Sequence, residues 1–224
     1  MVSGMKIKIA ALVLAAGESR RLASPNKLLL PFGGTTVVEC AVDAILCANV
    51  DEVIVVLGYE AEAVRQALGQ RPLRFVYNPD YRCGMASSIQ AGIATVTPEV
   101  GGVMISLADL PLIEPAELNL LIMAFLETKK AAELPLKTRD REPHGAIVVP
   151  TFSGQRGNPV IFDLCYRHEM IRLRGDVGGK SILARHPEAV LEVEMPTASV
   201  LEDIDTMEEY NRLVAKVRNQ QKSR

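Results

Sequence analysis

The chain has 224 residues and a formal net charge of −2, with 48% apolar and 23% charged residues. Those values suit one large α/β domain with a packed core and argue against disorder. They also argue against a broad nucleic-acid surface, while leaving room for a local basic pocket. Cys40, Cys47, Cys83 and Cys165 are scattered, and none falls in a CxxC pair. Reduced thiols in a cytoplasmic protein are the expectation. No apolar stretch approaches the ~20 residues that span a bilayer. The start MVSGMKIK lacks the long apolar region of a signal peptide, and Met5 is an alternative start.

In chain order, IKIAALVLAA (7–16) reads as a fully buried strand. Val37, Val38, Ala41, Ile45 and Leu46 then form a helical stripe. DEVIVVLG (51–58) is a second buried strand, and EAEAVRQALG is a helix stopped by Gly69. LRFVYNP gives a third strand ended by Asn78-Pro79. MASSIQAGIATV is a helix opened by Gly84. GGVMISLADLPLI is a fourth strand running into a loop, and Pro115 stands near the first turn of another helix. The charged stretch 131–143 reads as an exposed loop. HGAIVVPTF and NPVIF are strands around the turn SGQRG. A helical stretch, the segment RGDVGGKSIL, the strand AVLEVEMP and a helix from Met207 complete the chain. This alternation implies a mainly parallel sheet with helices on both faces and right-handed connections.

Ligands of open parallel sheets bind outside the carboxyl ends of the strands. Three segments fall there: 15–27, 84–88 and 108–111. In the first, Gly17 permits a sharp turn whose backbone N–H groups can cradle phosphate oxygens. Arg21 and Lys27 add charge-assisted hydrogen bonds. The segment is neither GxGxxG nor GxxxxGK[ST], and an ordinary turn with two solvated basic residues is the alternative. In the second, Ser87 and Ser88 either cap a helix or face a ligand. In the third, Asp109 is either a turn former or a ligand for a hard cation.

The stretch LAAGESRRLASPNKLLLP (14–31) resembles the signature LAAG-x-S-x-R-[MF]-G-x-P-N-K-LLP of the nucleotidyltransferases related to the molybdenum-cofactor enzymes. The resemblance spans most of the chain. It implies a single Rossmann-like three-layer α/β domain of the nucleotidyltransferase, glycosyltransferase-A-like type. Residues of about 5–130 would bind nucleotide, and those of about 144–215 the acceptor. Leu14, Ala15, Ala16, Gly17, Ser19, Arg21 and Lys27 would wrap the triphosphate, with Lys27 and Arg21 catalytic. Gly84, Met85 and Ser88 match G-[ML]-x-x-S-[IL] and would contact base and ribose. Asp109 matches L-x-D-[MLQ]-P and would hold catalytic Mg²⁺.

GQRGNPVIF and GDVGGKSIL resemble two further motifs of the family, so Arg156, Gly157, Asn158, Gly178 and Lys180 would line the acceptor pocket. VLEDIDTMEEY resembles DIDTPEDY. Alternation places Asp203 and Asp205 on one side, and Asp205 is either a second metal contact or a helix N-cap. Two departures stand out: Ala23 replaces a glycine and Met207 a proline. Alanine resists positive φ, so position 23 is right-handed or the loop is shifted. His144, His168 and His186 read as incidental.

The reaction implied is transfer of CMP from CTP to molybdopterin with release of pyrophosphate. LAAG points to CTP, whereas guanylyl enzymes carry LAGG. A GTP-dependent or sugar-phosphate transferase, and a non-catalytic protein that delivers cofactor to a molybdoenzyme, are the alternatives.

Overall fold

The structure is a computed structural model that describes residues 6–18, 26–133, 145–176 and 178–222. Its strands are β1 (Lys8–Ala15), β2 (Pro31–Phe32), β3 (Thr35–Thr36), β4 (Glu52–Leu57), β5 (Arg74–Tyr77), β6 (Val100–Leu107), β7 (Ile147–Phe152), β8 (Gln155–Arg156), β9 (Val160–Asp163) and β10 (Val190–Glu194). Its helices are α1 (Val37–Leu46), α2 (Ala61–Leu68), α3 (Met85–Ile93), α4 (Pro115–Glu133), α5 (Arg167–Ile171), α6 (Lys180–Arg185) and α7 (Met207–Lys222).

β1 is almost wholly apolar and buried on both faces, as a strand inside a parallel sheet must be. The main sheet runs β10-β7-β9-β6-β1-β4-β5, with β8 paired to β7. β1 is parallel to β4 and β6, β4 to β5, and β10 to β7. β9 runs against both its neighbours, β6 and β7. Only residues 153–159 join β7 to β9. A parallel crossover needs about a dozen residues, so the chain must turn back on itself. The mainly parallel sheet read from the sequence is therefore present, with β9 inserted antiparallel and the short β8 antiparallel to β7. β2 and β3 form a separate two-stranded ribbon.

Alternate β1 residues face opposite layers. Ile9, Ala11 and Val13 join a core with Val38 of α1, Leu68 of α2, Phe125 of α4 and Leu213 of α7. Ala10 and Leu12 join a second core with Ile89 of α3, Met170 of α5 and Ile182 of α6. The result is a mixed α/β single domain of three layers. Local signals agree with it. Thr36 and Glu39 make a reciprocal capping box on α1. Gly69 ends α2 at φ +56°, where a side chain would be strained. α4 runs on to Glu133, so the start of the expected 131–143 loop is helical. The remainder of that loop lies outside the described residues. Among the described residues, no helix is long and apolar enough to cross a membrane.

Candidate active site

Backbone hydrogen bonds gather three chain segments at the carboxyl end of the sheet. Ala108 N–H donates to Leu14 O at 3.2 Å, and Ile204 N–H donates to Asp109 O at 3.1 Å. The ends of β1 and β6 and the segment before α7 are thereby stitched side by side. Lys27 enters on a 3₁₀ turn, Lys27–Leu29, whose N-cap Asn26 accepts from Leu28 N–H at 3.1 Å. Leu28 is buried beneath the turn and fixes its height. These elements wall a cleft of about 570 Å³. Leu14, Ala16, Gly17, Lys27, Gly84, Met85, Ser88, Asp109 and Asp205, all expected from the sequence, line it together.

One wall is charged. Lys27 Nζ lies 2.5 Å from Asp109 Oδ2 and 3.1 Å from Asp205 Oδ1. Burial pulls the Lys27 pKa down, but Asp109 and then Asp205 outweigh it and hold the ammonium above its ordinary value. Asp203 lies on the same wall. Burial, reinforced by the charge of Asp109, lifts its carboxyl above the usual range. Asp109 Oδ1 is buried and has no hydrogen-bond partner. Among the described lining residues stand five carboxylates (Glu18, Asp109, Asp176, Asp203, Asp205) against two cations, Lys27 and Arg82. These described carboxylates, taken alone, would repel a polyphosphate unless a cation accompanied it.

The other wall is the first turn of α3. Gly84 has φ +97°, and a Cβ on it would sit 2.7 Å from the Gly175 carbonyl. Only glycine fits that approach. Ala86 N–H donates to Gly175 O at 3.1 Å, and Met85 N–H to Asp176 Oδ1 at 3.2 Å. Loop 175–176 therefore caps α3 from outside. Ser88 is not the cap: buried Asn78 donates to both Ser87 Oγ at 2.9 Å and Ser88 Oγ at 3.1 Å. Asn78 Oδ1 in turn accepts from Asp80 N–H at 3.0 Å.

The structure also settles the position of Asp205. Thr206 and Glu209 exchange capping hydrogen bonds at the start of α7, so Asp205 precedes the cap and turns its carboxylate to Lys27. Ala15 points into the core instead of the cleft. Arg156 is exposed and paired with Glu192 at 2.7 Å. Gly157 N–H donates to Pro150 O, and Asn158 N–H donates to Val200 O. Gly178 packs against the Met85 sulfur, and Lys180 opens α6. None of these five lines the cleft. His186 is bonded to Glu169 at 2.7 Å, and neither it nor His168 reaches the cleft. Ser19, Arg21, Ala23 and His144 lie outside the described residues. Asp176, Arg82 and Glu18 are lining residues that the sequence reading did not single out. Arg82 Nε reaches Glu18 Oε1 at 2.9 Å across the cleft mouth. The only sequence signal for Asp176 was its place in GDVGGKSIL.

Known proteins share this arrangement of elements. The chain is 29% identical to the nicotine blue oxidoreductase of Paenarthrobacter nicotinovorans over 207 residues, 92% of this chain and 96% of that protein. The crystal structure of Rv0371c from Mycobacterium tuberculosis H37Rv matches with a TM-score of 0.76 at 31% identity, covering 93% of this chain and 98% of that one. Its manganese complex matches at 0.75 and 29%, covering 94% and 100%. Molybdopterin-guanine dinucleotide biosynthesis protein A from Archaeoglobus fulgidus shares the fold at a TM-score of 0.62 and 15% identity, covering 94% and 99%. Residues 11–190 match the MobA-like NTP transferase domain. The chain belongs to that family of nucleotidyltransferases.

Proposed function

We propose that the protein transfers CMP from CTP to molybdopterin, releasing pyrophosphate. The observation that carries this reading is Lys27 and Asp109 facing each other in one cleft at the carboxyl end of the sheet. The acceptor phosphate attacks the α-phosphorus in line. A new P–O bond forms, the bond to the β-phosphate bridge breaks, and its electrons leave with pyrophosphate. Such chemistry needs positioning and charge neutralisation more than covalent help. Lys27 and Arg21 neutralise the phosphate oxygens. The acceptor phosphate is already ionised at neutral pH, so no histidine base is needed.

The residues fit Mg²⁺. Asp109 and Asp205 offer hard oxygen donors on one wall of the cleft. Among the described residues no three His, Cys, Asp or Glu side chains form a complete cage. Mg²⁺ is commonly bound by one or two carboxylates together with water and substrate phosphate. Bound there, the ion would neutralise charge on the phosphate oxygens. The manganese complex of Rv0371c supports a divalent cation in a related protein.

The α3 wall, with Gly84, Met85 and Ser88, takes base and ribose. Ala16 within LAAG favours CTP. The acceptor enters from the side of Asp176, where Gly178 and Lys180 follow. Arg156, Gly157 and Asn158 stand outside the cleft lining and would meet the acceptor beyond it, and Asn158 also steadies the segment carrying Asp205 through Val200. Four free cysteines suit a cytoplasmic setting, with a molybdoenzyme as receiver of the product. A second reading follows from the relative with an oxidoreductase name, which this chain covers to 96%: redox chemistry in this cleft.

A thermal-shift panel of CTP, GTP, UTP and nicotinamide dinucleotides separates these readings. At a hundredfold excess over Kd, the preferred ligand adds about 2.7 kcal/mol, or roughly 5–10 °C for a chain of this size. CTP with Mg²⁺ should give the largest shift, and pyrophosphate should appear with molybdopterin. A shift from dinucleotides alone would replace transfer with redox chemistry.

A further inference from the structure

We infer that Lys27 competes with the metal: its ammonium contacts both Asp109 and Asp205 and must leave before a divalent cation is held by both carboxylates. The inference rests on the nucleotidyl-transfer reading of this cleft. Nζ lies 2.5 Å from Asp109 Oδ2 and 3.1 Å from Asp205 Oδ1, two carboxylates that approach from different chain segments. A divalent ion held by Asp109 and Asp205 would take the same carboxylates that the ammonium contacts. Two cations competing for the same carboxylates repel one another. The side chains of Lys27 and Asp109 are only 14% and 13% exposed, so solvent screens the conflict poorly.

The same contact offsets part of the negative charge of the acidic wall. Asp109, Asp203 and Asp205 repel one another, and Lys27 is the described cation among them. Withdrawing it would cost Asp109, whose side chain is only 13% exposed, its ammonium contact. That cost is offset when a divalent ion brings positive charge to the carboxylate and an anion receives the ammonium. A metal-bound triphosphate meets both conditions together. Metal and nucleotide binding are therefore positively linked, each raising the affinity of the other. The cleft is held shut to free divalent ions, and Lys27 is delivered to the phosphates at the moment the metal arrives.

The test is Mn²⁺ binding to the full chain without nucleotide, read from the loss of the free-ion electron paramagnetic resonance signal. Lys27→Gln should bind Mn²⁺ roughly tenfold or more tightly than the wild type, because the competing positive charge is gone. Lys27→Arg, which keeps the charge, should bind as weakly as the wild type. Adding Asp109→Asn to Lys27→Gln should abolish the gain and so locate the ion. Equal Mn²⁺ affinity in the wild type and Lys27→Gln would overturn the inference. Should Lys27→Gln fail to fold, the wild type decides. With α,β-methylene CTP bound, its Mn²⁺ affinity must exceed that of the free nucleotide and of the free protein; no gain overturns the linkage. Pyrophosphate release separates the two levels. Intact release with no effect of Lys27→Gln on Mn²⁺ removes only the lysine exchange. No release with any triphosphate removes the transfer reading itself.

Discussion

The two walls of the cleft are built by different forces. The Lys27 wall joins residues 178 positions apart through charge, with an ammonium set against its like-charged carboxylates. The α3 wall is mostly neutral. Backbone N–H groups of Met85 and Ala86, a positive-φ glycine and a buried asparagine hold it through short, directed hydrogen bonds. Charged contacts can be exchanged for a ligand's charges, whereas a backbone zipper leaves little freedom to rearrange. The first wall suits chemistry and the second suits recognition. Substitutions should therefore act differently on the two sides.

The largest effect belongs to the charged wall. Asp109→Asn keeps the shape and both backbone bonds around position 109, but it removes the charge that pairs with Lys27. Turnover should fall on the order of 10²-fold or more. The melting temperature should change far less than that loss suggests. Pyrophosphate release and calorimetry on the same preparation measure both. A collapse of stability in step with activity would mean that this wall is structural after all.

On the opposite wall, Gly84→Ala adds a Cβ 2.7 Å from a backbone carbonyl, at a φ that alanine disfavours. Neither strand of backbone can yield cheaply, so about 1–3 kcal/mol of stability should be lost. The KM for nucleotide should rise more than kcat falls. Urea titration and steady-state kinetics test this, and an unchanged KM would detach α3 from recognition. Asn78→Ala comes next. It leaves Ser88 Oγ without a donor and Asp80 N–H without its side-chain acceptor, a cost of about 1–2 kcal/mol.

How far the sequence revealed each wall follows from the same contrast. β1 and the helical stripe of α1 were legible because burial leaves a period in the chain. Lys27, Asp109 and Gly84 were legible because they sit at strand ends in dense motifs. The antiparallel direction of β9 was not, since direction depends on the length of a connection and leaves no periodicity. Asn78 was read only as the end of a strand, because its partners are ten residues away in a helix whose docking no local pattern encodes. Asp176 reaches α3 across 91 residues, and nothing near it in the chain announces that contact.

The smallest effect is the most discriminating for the charged wall. Asp203 is lifted above its ordinary pKa by burial and by the neighbouring Asp109 charge. A carboxyl whose folded value is raised favours the fold while protonated, below its unfolded pKa near 3.8, and that contribution is lost as pH rises through the folded value. At neutral pH the ionised group is therefore a burden. Asp203→Asn should raise the melting temperature slightly at pH 7, and the gain should shrink as pH falls toward 3. On the Asp109→Asn background the gain at pH 7 should be smaller, because one source of the repulsion has already been removed. Melting curves of the four proteins across pH 3–8 measure this. A gain independent of position 109 would mean that the Asp109 charge does not lift Asp203, leaving burial and Asp205 as the causes.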